Sequence, residues 1–205
     1  NDLISMANKS AWVRLVSSVN LGSGDVNYFR SKVPVTISQP DDLAKNYMLF
    51  AGTSRYLNPN DTRSPLRAGI NTDGAYGMLG PDEIKNYGYR PMPGISEASI
   101  ETQGRLGSVR SATIQFKCWD KDQLDIMDAL YFKLGFSMFL EWGHTVYYKT
   151  GVDKLQYSEL LSIDPFEKDI TKEAIQERIA KNNRESEGNY DAMLGIVTNF
   201  NYTYN

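Results

Sequence analysis

The sequence predicts a β-rich α+β fold with antiparallel strands. Three observations carry that expectation. Several runs alternate apolar and polar residues with a period of two, and only two stretches carry helical spacing. Thirteen tyrosines, set among many Asn and Gly, suit pleated surfaces and protein–protein contacts. With 41% hydrophobic and 23% charged residues, the chain has the composition of a folded globular protein and not of a disordered one. Its 205 residues allow one large domain or two small ones.

Taken in order, Ala11-Trp12-Val13-Arg14-Leu15-Val16 is rich in β-branched and aromatic residues and reads as a strand that ends before Gly22 and Gly24. Shorter strands are expected at Val33–Ser38 and Tyr47–Ala51, separated by Pro40 and Asp41-Asp42. From Arg55 to Gly94 no apolar period survives, and the stretch holds six Gly and five Pro. Loops this long usually have a task. Tyr56, Tyr76, Tyr87 and Tyr89 make this one an expected interface element.

The strongest signal follows. Ala98 and Ile100, then Ala112, Ile114, Phe116 and Cys118, alternate with polar neighbours across a turn at residues 103–108. That pattern predicts a hairpin with one buried and one polar face. On that reading Phe116→Ala costs about 3–5 kcal/mol. Asp120 as N-cap with Gln123 three residues on predicts a helix start. Leu124, Met127, Tyr131 and Leu134 form its stripe, flanked by Ile126 and Leu130, and Gly135 stands at the expected C′ position. A strand is expected over Phe136–Trp142, with Gly143 as a break before Thr145–Tyr148. The expected core of this hairpin–helix–strand unit is Ile100, Ala112, Ile114, Phe116, Leu124, Met127, Leu130 and Leu140. Beyond Gly151 the chain turns polar, with an exposed helix over Thr171–Arg184 edged by Ala174, Ile175 and Ile179, then a solvated turn over Asn182–Asn189. Leu194, Ile196, Phe200, Tyr202 and Tyr204 are expected on one face of a final strand.

Chemistry-bearing groups are sparse. One cysteine, Cys118, rules out an internal disulfide, and one histidine, His144, leaves little for zinc. A formal charge of −3 does not suit generic binding to a phosphate backbone. No apolar run approaches the ~18 residues of a membrane-spanning helix, so no membrane insertion is expected. Glu141 and His144 stand three apart, but on a strand they face oppositely, so no dyad is expected. Gly74, Gly77 and Gly80 lack the dinucleotide spacing and its strand–helix context. Asn71-Thr72-Asp73-Gly74 resembles the start of a calcium loop, but position twelve is Asp82 where a bidentate Glu is needed. Asp41-Asp42 and Asp82-Glu83 sit beside Pro, where turn chemistry explains them. Trp12 and Trp142 alternate with their neighbours as core residues do, although a sugar platform uses the same rings. Catalytic, cofactor-binding and metal-ligating residues are therefore expected to be absent, and no enzyme activity is expected. The chain opens on Asn1 with no charged-then-apolar leader and stops within a strand-like pattern, so a segment of a longer or processed protein is expected.

Residues Gly94-Ile95 through Gln103-Gly104, Ser108-Val109-Arg110-Ser111-Ala112-Thr113-Ile114, and Met138-Phe139-Leu140-Glu141-Trp142-Gly143 are similar to tail-hub and tube-type domains of tailed bacteriophages and related contractile injection machines. So is the run from Gly188 to Phe200. The resemblance covers residues 94–148 and 188–205, about a third of the chain; the loop at 55–94 and the segment 151–187 depart from it. It implies an antiparallel β-barrel or sandwich, a hub- or tube-like β domain over residues 1–150 to which a final strand at 188–205 returns, with 151–187 read as a polar helical insertion between them. It further implies a virion structural subunit, made in the host bacterial cytoplasm, that forms a trimeric or hexameric ring around an axial channel for genome passage or spike docking. The partners would be further copies and other tail or baseplate proteins, with phage DNA a passing, non-specifically contacted cargo. The alternative expectation is a receptor- or carbohydrate-binding virion module or, behind it, a cell-wall-degrading tail enzyme.

Overall fold

The structure, a computed structural model of the chain, describes residues 10–19, 48–52, 93–104, 109–119, 121–152, 155–158, 160–161, 165–166 and 170–204. The strand expected at Val33–Ser38, the N-cap Asp120, the acidic pairs at 41–42 and 82–83, and the loop with Tyr56, Tyr76, Tyr87 and Tyr89 lie outside the described residues.

The described part is mainly β and antiparallel throughout. Its strands are β1 (Ala11–Ser17), β2 (Leu49–Ala51), β3 (Gly94–Gln103), β4 (Val109–Lys117), β5 (Ser137–His144), β6 (Val146–Tyr147), β7 (Gln156–Tyr157) and β8 (Tyr190–Ile196), with helices α1 (Lys121–Leu130) and α2 (Lys172–Glu185). Four strands pair in the order β2-β1-β5-β8, while β3-β4 and β6-β7 form separate two-stranded ladders. β1 and β5 are central and read as nearly continuous apolar runs, because each buries side chains on both faces.

One face of the four-stranded sheet carries Leu15, Leu49, Met138 and Leu140, covered by Ile95 and by Ile126, Met127, Leu130 and Tyr131 of the α1 region. The other carries Trp12, Val16, Phe139, Tyr190 and Ala192, covered by Leu160 of the 155–161 segment and Ile175 of α2. The segment following Gly151 thus contributes apolar cover as well as polar surface.

Several expectations are corrected here. The hairpin forms in the expected register, with Ile100 opposite Ala112 and Ala98 opposite Ile114. Its apolar face, however, is only partly covered: Ala98 and Ala112 are exposed, Ile100, Ile114 and Phe116 half-buried. Only Ile95, at the root beside a register shift, is buried. The ladder is held to the body along one face, by Ile100, Ile114 and Phe116 against the core and by Arg110, near its turn, paired with Asp191 of β8, while its other face is exposed.

Helix α1 ends at Leu130, so Leu134 falls beyond the stripe and is exposed, and Gly135 is not its C′ residue. Closure at Leu130 is tertiary: its carbonyl accepts a hydrogen bond from the Ser17 hydroxyl of β1. Gly135 instead adopts φ of 79° in the following turn, and its N–H donates to the Val197 carbonyl at 2.9 Å. Gln123 does serve the helix start, its side-chain oxygen accepting from the Trp119 N–H at 2.8 Å.

Gly143 is no break. It lies within β5, where an added Cβ would strike the Ser158 hydroxyl and come within 2.8 Å of the Asn189 carbonyl. The missing side chain is what lets the 155–158 segment and the turn before β8 close on the strand.

Helix α2 starts as expected, with Thr171 accepting from the Ala174 N–H at 3.2 Å. The stretch after it is more than a solvated turn. Ser186 is buried and its hydroxyl accepts from the Tyr190 N–H, while the Asn183 amide donates to the Tyr190 carbonyl at 2.8 Å. These bonds fix the entry into β8. That strand ends at Ile196; Phe200, Tyr202 and Tyr204 lie beyond it and outside any ladder, because β5 begins at Ser137, opposite Ile196.

Candidate functional site

The one concentration of ionisable chemistry at the heart of the described fold lies on the second sheet face. Arg14 of β1 and Glu141 of β5 are register partners on adjacent strands. Both side chains are fully buried, and the Arg14 Nη2 pairs with the Glu141 Oε1. The other carboxylate oxygen accepts the Tyr190 hydroxyl at 2.9 Å and the Leu161 N–H at 3.0 Å. Arg14 Nη1 lies 3.9 Å from the Met48 sulfur. The Trp12 ring closes the group from the side, stacked with Phe50 and tilted against Tyr190 at 6.2 Å.

Burial, reinforced by the charge of Glu141 and the hydrogen bond to it, pushes the Tyr190 phenol well above its ordinary range, so it stays protonated and donates. A buried carboxylate is tolerable only when paired and hydrogen-bonded. Glu141 meets that condition with donors from β1, from β8 and from the covering segment. The network ties two neighbouring strands and the 155–161 cover to one point, and the side chains of Arg14, Glu141 and Tyr190 are all buried.

Sequence reasoning passed over this group. The signal was there: Arg14 interrupts Trp12-Val13-Arg14-Leu15-Val16, and Glu141 interrupts Met138-Phe139-Leu140-Glu141-Trp142. A charge inside a run buried on both faces requires a buried partner, and each of these strands offers one. Glu141 and His144 point to opposite faces, and the His144 N–H donates to the Asn189 carbonyl at 2.9 Å. Cys118 is half-buried against the apolar core. Among the described residues no group of three or more His, Cys, Asp or Glu converges as metal ligands would, and no helix is long and apolar enough to cross a membrane.

The exposed features are of another kind. The β3–β4 hairpin presents Glu97, Ser99, Glu101, Ser111, Thr113 and Gln115 to solvent. An aromatic group runs along the surface from its root: Phe132 stacks with Phe116 at 5.7 Å, with Phe200 at 5.0 Å and with Tyr202 at 6.1 Å. Tyr204, 76% exposed, packs edge-on against Tyr202. No protein-family model matches the chain, and no curated protein and no solved structure does either.

Proposed function

We propose that the chain is a structural subunit of a phage tail or baseplate, assembling with further copies into a ring of three or six around an axial channel. The observation that carries this reading is the β3–β4 hairpin, a ladder of nine to ten residues per strand in which Ile95 alone is fully buried and the polar face is exposed. An isolated two-stranded ladder is marginal in water, and an exposed one is a surface for pairing or clamping a neighbour. The resemblance over residues 94–148 and 188–205 points the same way, as does an ionisable cluster that closes the fold instead of opening to solvent. In this reading the four-stranded sheet and the hairpin across it are the two layers of the tube-like sandwich. The Arg55–Gly94 stretch supplies Tyr56, Tyr76, Tyr87 and Tyr89 to the neighbouring subunit or to a second tail protein.

Negative-stain imaging and mass photometry of the purified chain across a concentration series test the proposal, with closed rings the expected result. Deleting residues 71–80 should leave the circular dichroism and thermal melt unchanged and abolish the rings; normal rings in that variant would remove the loop from the interface. A second reading draws on the exposed Phe200, Tyr202 and Tyr204 rings, which could serve as a glycan platform in a receptor-binding module. Glycan-array binding by a chain that stays monomeric would favour it over the ring.

A further inference from the structure

Among the described residues, the outer edge of β8 is blocked at one end and unpaired at the other. His144 donates to the Asn189 carbonyl and Val197 donates to the Phe136 carbonyl, which fixes the alternation of the antiparallel ladder between β5 and β8. Main-chain groups of Asp191, Met193, Gly195 and Val197 therefore face β5, and those of Ala192, Leu194 and Ile196 face away. At the head of this edge the Ala192 N–H is taken by the Asp191 carboxylate at 2.8 Å, and Arg110 holds the same carboxylate at 2.9 Å. A charged residue that occupies an edge N–H is one of the ways proteins stop unwanted strand pairing.

Past Asp191 that protection ends. No charged residue occurs from Ala192 to Asn205, and aromatic and polar residues alternate from Asn199 to Tyr204. Residues 198–204 make no hydrogen bond among the described residues. Phe200 and Tyr202, two apart, both stack on Phe132, which holds this stretch against the body with one side covered. What it lacks among the described residues is a set of main-chain partners, and the chemistry that supplies them is an extended strand.

We infer that residues 194–204 are a strand-docking edge, filled in the assembly by β4 of a neighbouring copy. β4 fits the role: it pairs with β3 on one side, is exposed over most of its length, and is uncharged from Ser111 to Phe116. Ser111, Thr113 and Gln115 would fall beside Asn and Thr, and Ile114 and Phe116 beside aromatic rings. An edge that takes a different element of the next copy is a head-to-tail contact, which closes into rings. The inference rests on the ring reading for its choice of partner, but it is tested separately.

The experiment is amide hydrogen exchange on the full chain, dilute and concentrated, with particle size measured on the same samples. The expected result is that the outward amides at 194 and 196 and every second amide over 198–204, together with the amides of 111–116 that do not face β3, exchange at least about a hundredfold more slowly in the assembled sample. Ile196→Pro, at an exposed position whose N–H faces away from β5, should keep the monomer's melting temperature and prevent assembly, whereas Ile196→Ala assembles. Rings whose outward 194–204 amides remain fast, or rings formed normally by Ile196→Pro, overturn the docking edge and leave the ring standing. Protected amides in an open or dimeric species uphold the edge and overturn the ring. A chain that stays monomeric with fast amides at every concentration overturns both.

Discussion

The two faces of the central sheet solve the same burial problem with different chemistry. Toward α1, the sheet is covered by apolar side chains, and the few polar groups there close by single neutral bonds between β1 and the α1 region, Ser17 on the Leu130 carbonyl and the Tyr131 hydroxyl on the Leu15 carbonyl at 3.2 Å. Toward α2, the same strands bury a full ion pair and a phenol. Apolar packing tolerates small shifts in volume and register. A buried carboxylate with three donors on three elements does not, because each missing donor leaves a charge unpaired in a medium that cannot solvate it. The first face supplies bulk stability; the second specifies where β1, β5, β8 and the 155–161 cover must sit.

The sharpest way to break this contrast is on the charged face. Arg14→Ala leaves Glu141 buried and unpaired and should cost about 3–5 kcal/mol by urea denaturation. The double variant Arg14→Met, Glu141→Leu should recover most of that loss; a double variant no more stable than Arg14→Ala alone would mean that shape, not charge, is what the site requires. Gly143→Ala, on the same face, should cost about 1–3 kcal/mol by the same measurement, since the new methyl meets the Asn189 carbonyl and the Trp12 ring. On the apolar side, Phe116→Ala should cost about 1–2 kcal/mol, below the full-burial value for Phe, because that ring is only half-buried.

The smallest effect is also the most specific. Tyr190→Phe removes one donor from Glu141 and should cost about 1 kcal/mol near neutral pH. Its signature lies in alkali. The folded chain holds the phenol proton more tightly than the unfolded chain does, so the stabilisation is full below the ordinary phenol value of about 10 and is lost as pH rises above it. The wild-type melting temperature should therefore fall more steeply than that of Tyr190→Phe above that pH. Parallel curves would show that the hydroxyl contributes nothing to the network.

What the sequence determined by itself was the set of local elements. Apolar runs rich in β-branched and aromatic residues located β1 and β5, period-two alternation located the β3–β4 hairpin, and helical spacing located α1 and α2, because backbone geometry imposes those periods whatever the surroundings. It also excluded a disulfide within these 205 residues, since one cysteine cannot close one. Only the tertiary structure decided how much of each apolar face finds a cover. Ala112 and Leu134 match their periods and are exposed, because no layer reaches them, and Phe200 to Tyr204 keep a strand's alternation beyond the last residue of β5 that could pair with them. The Arg14–Glu141–Tyr190 group was legible only as two charges in two apolar runs. That they face each other depends on strand order and register, which are properties of the sheet and not of any one segment.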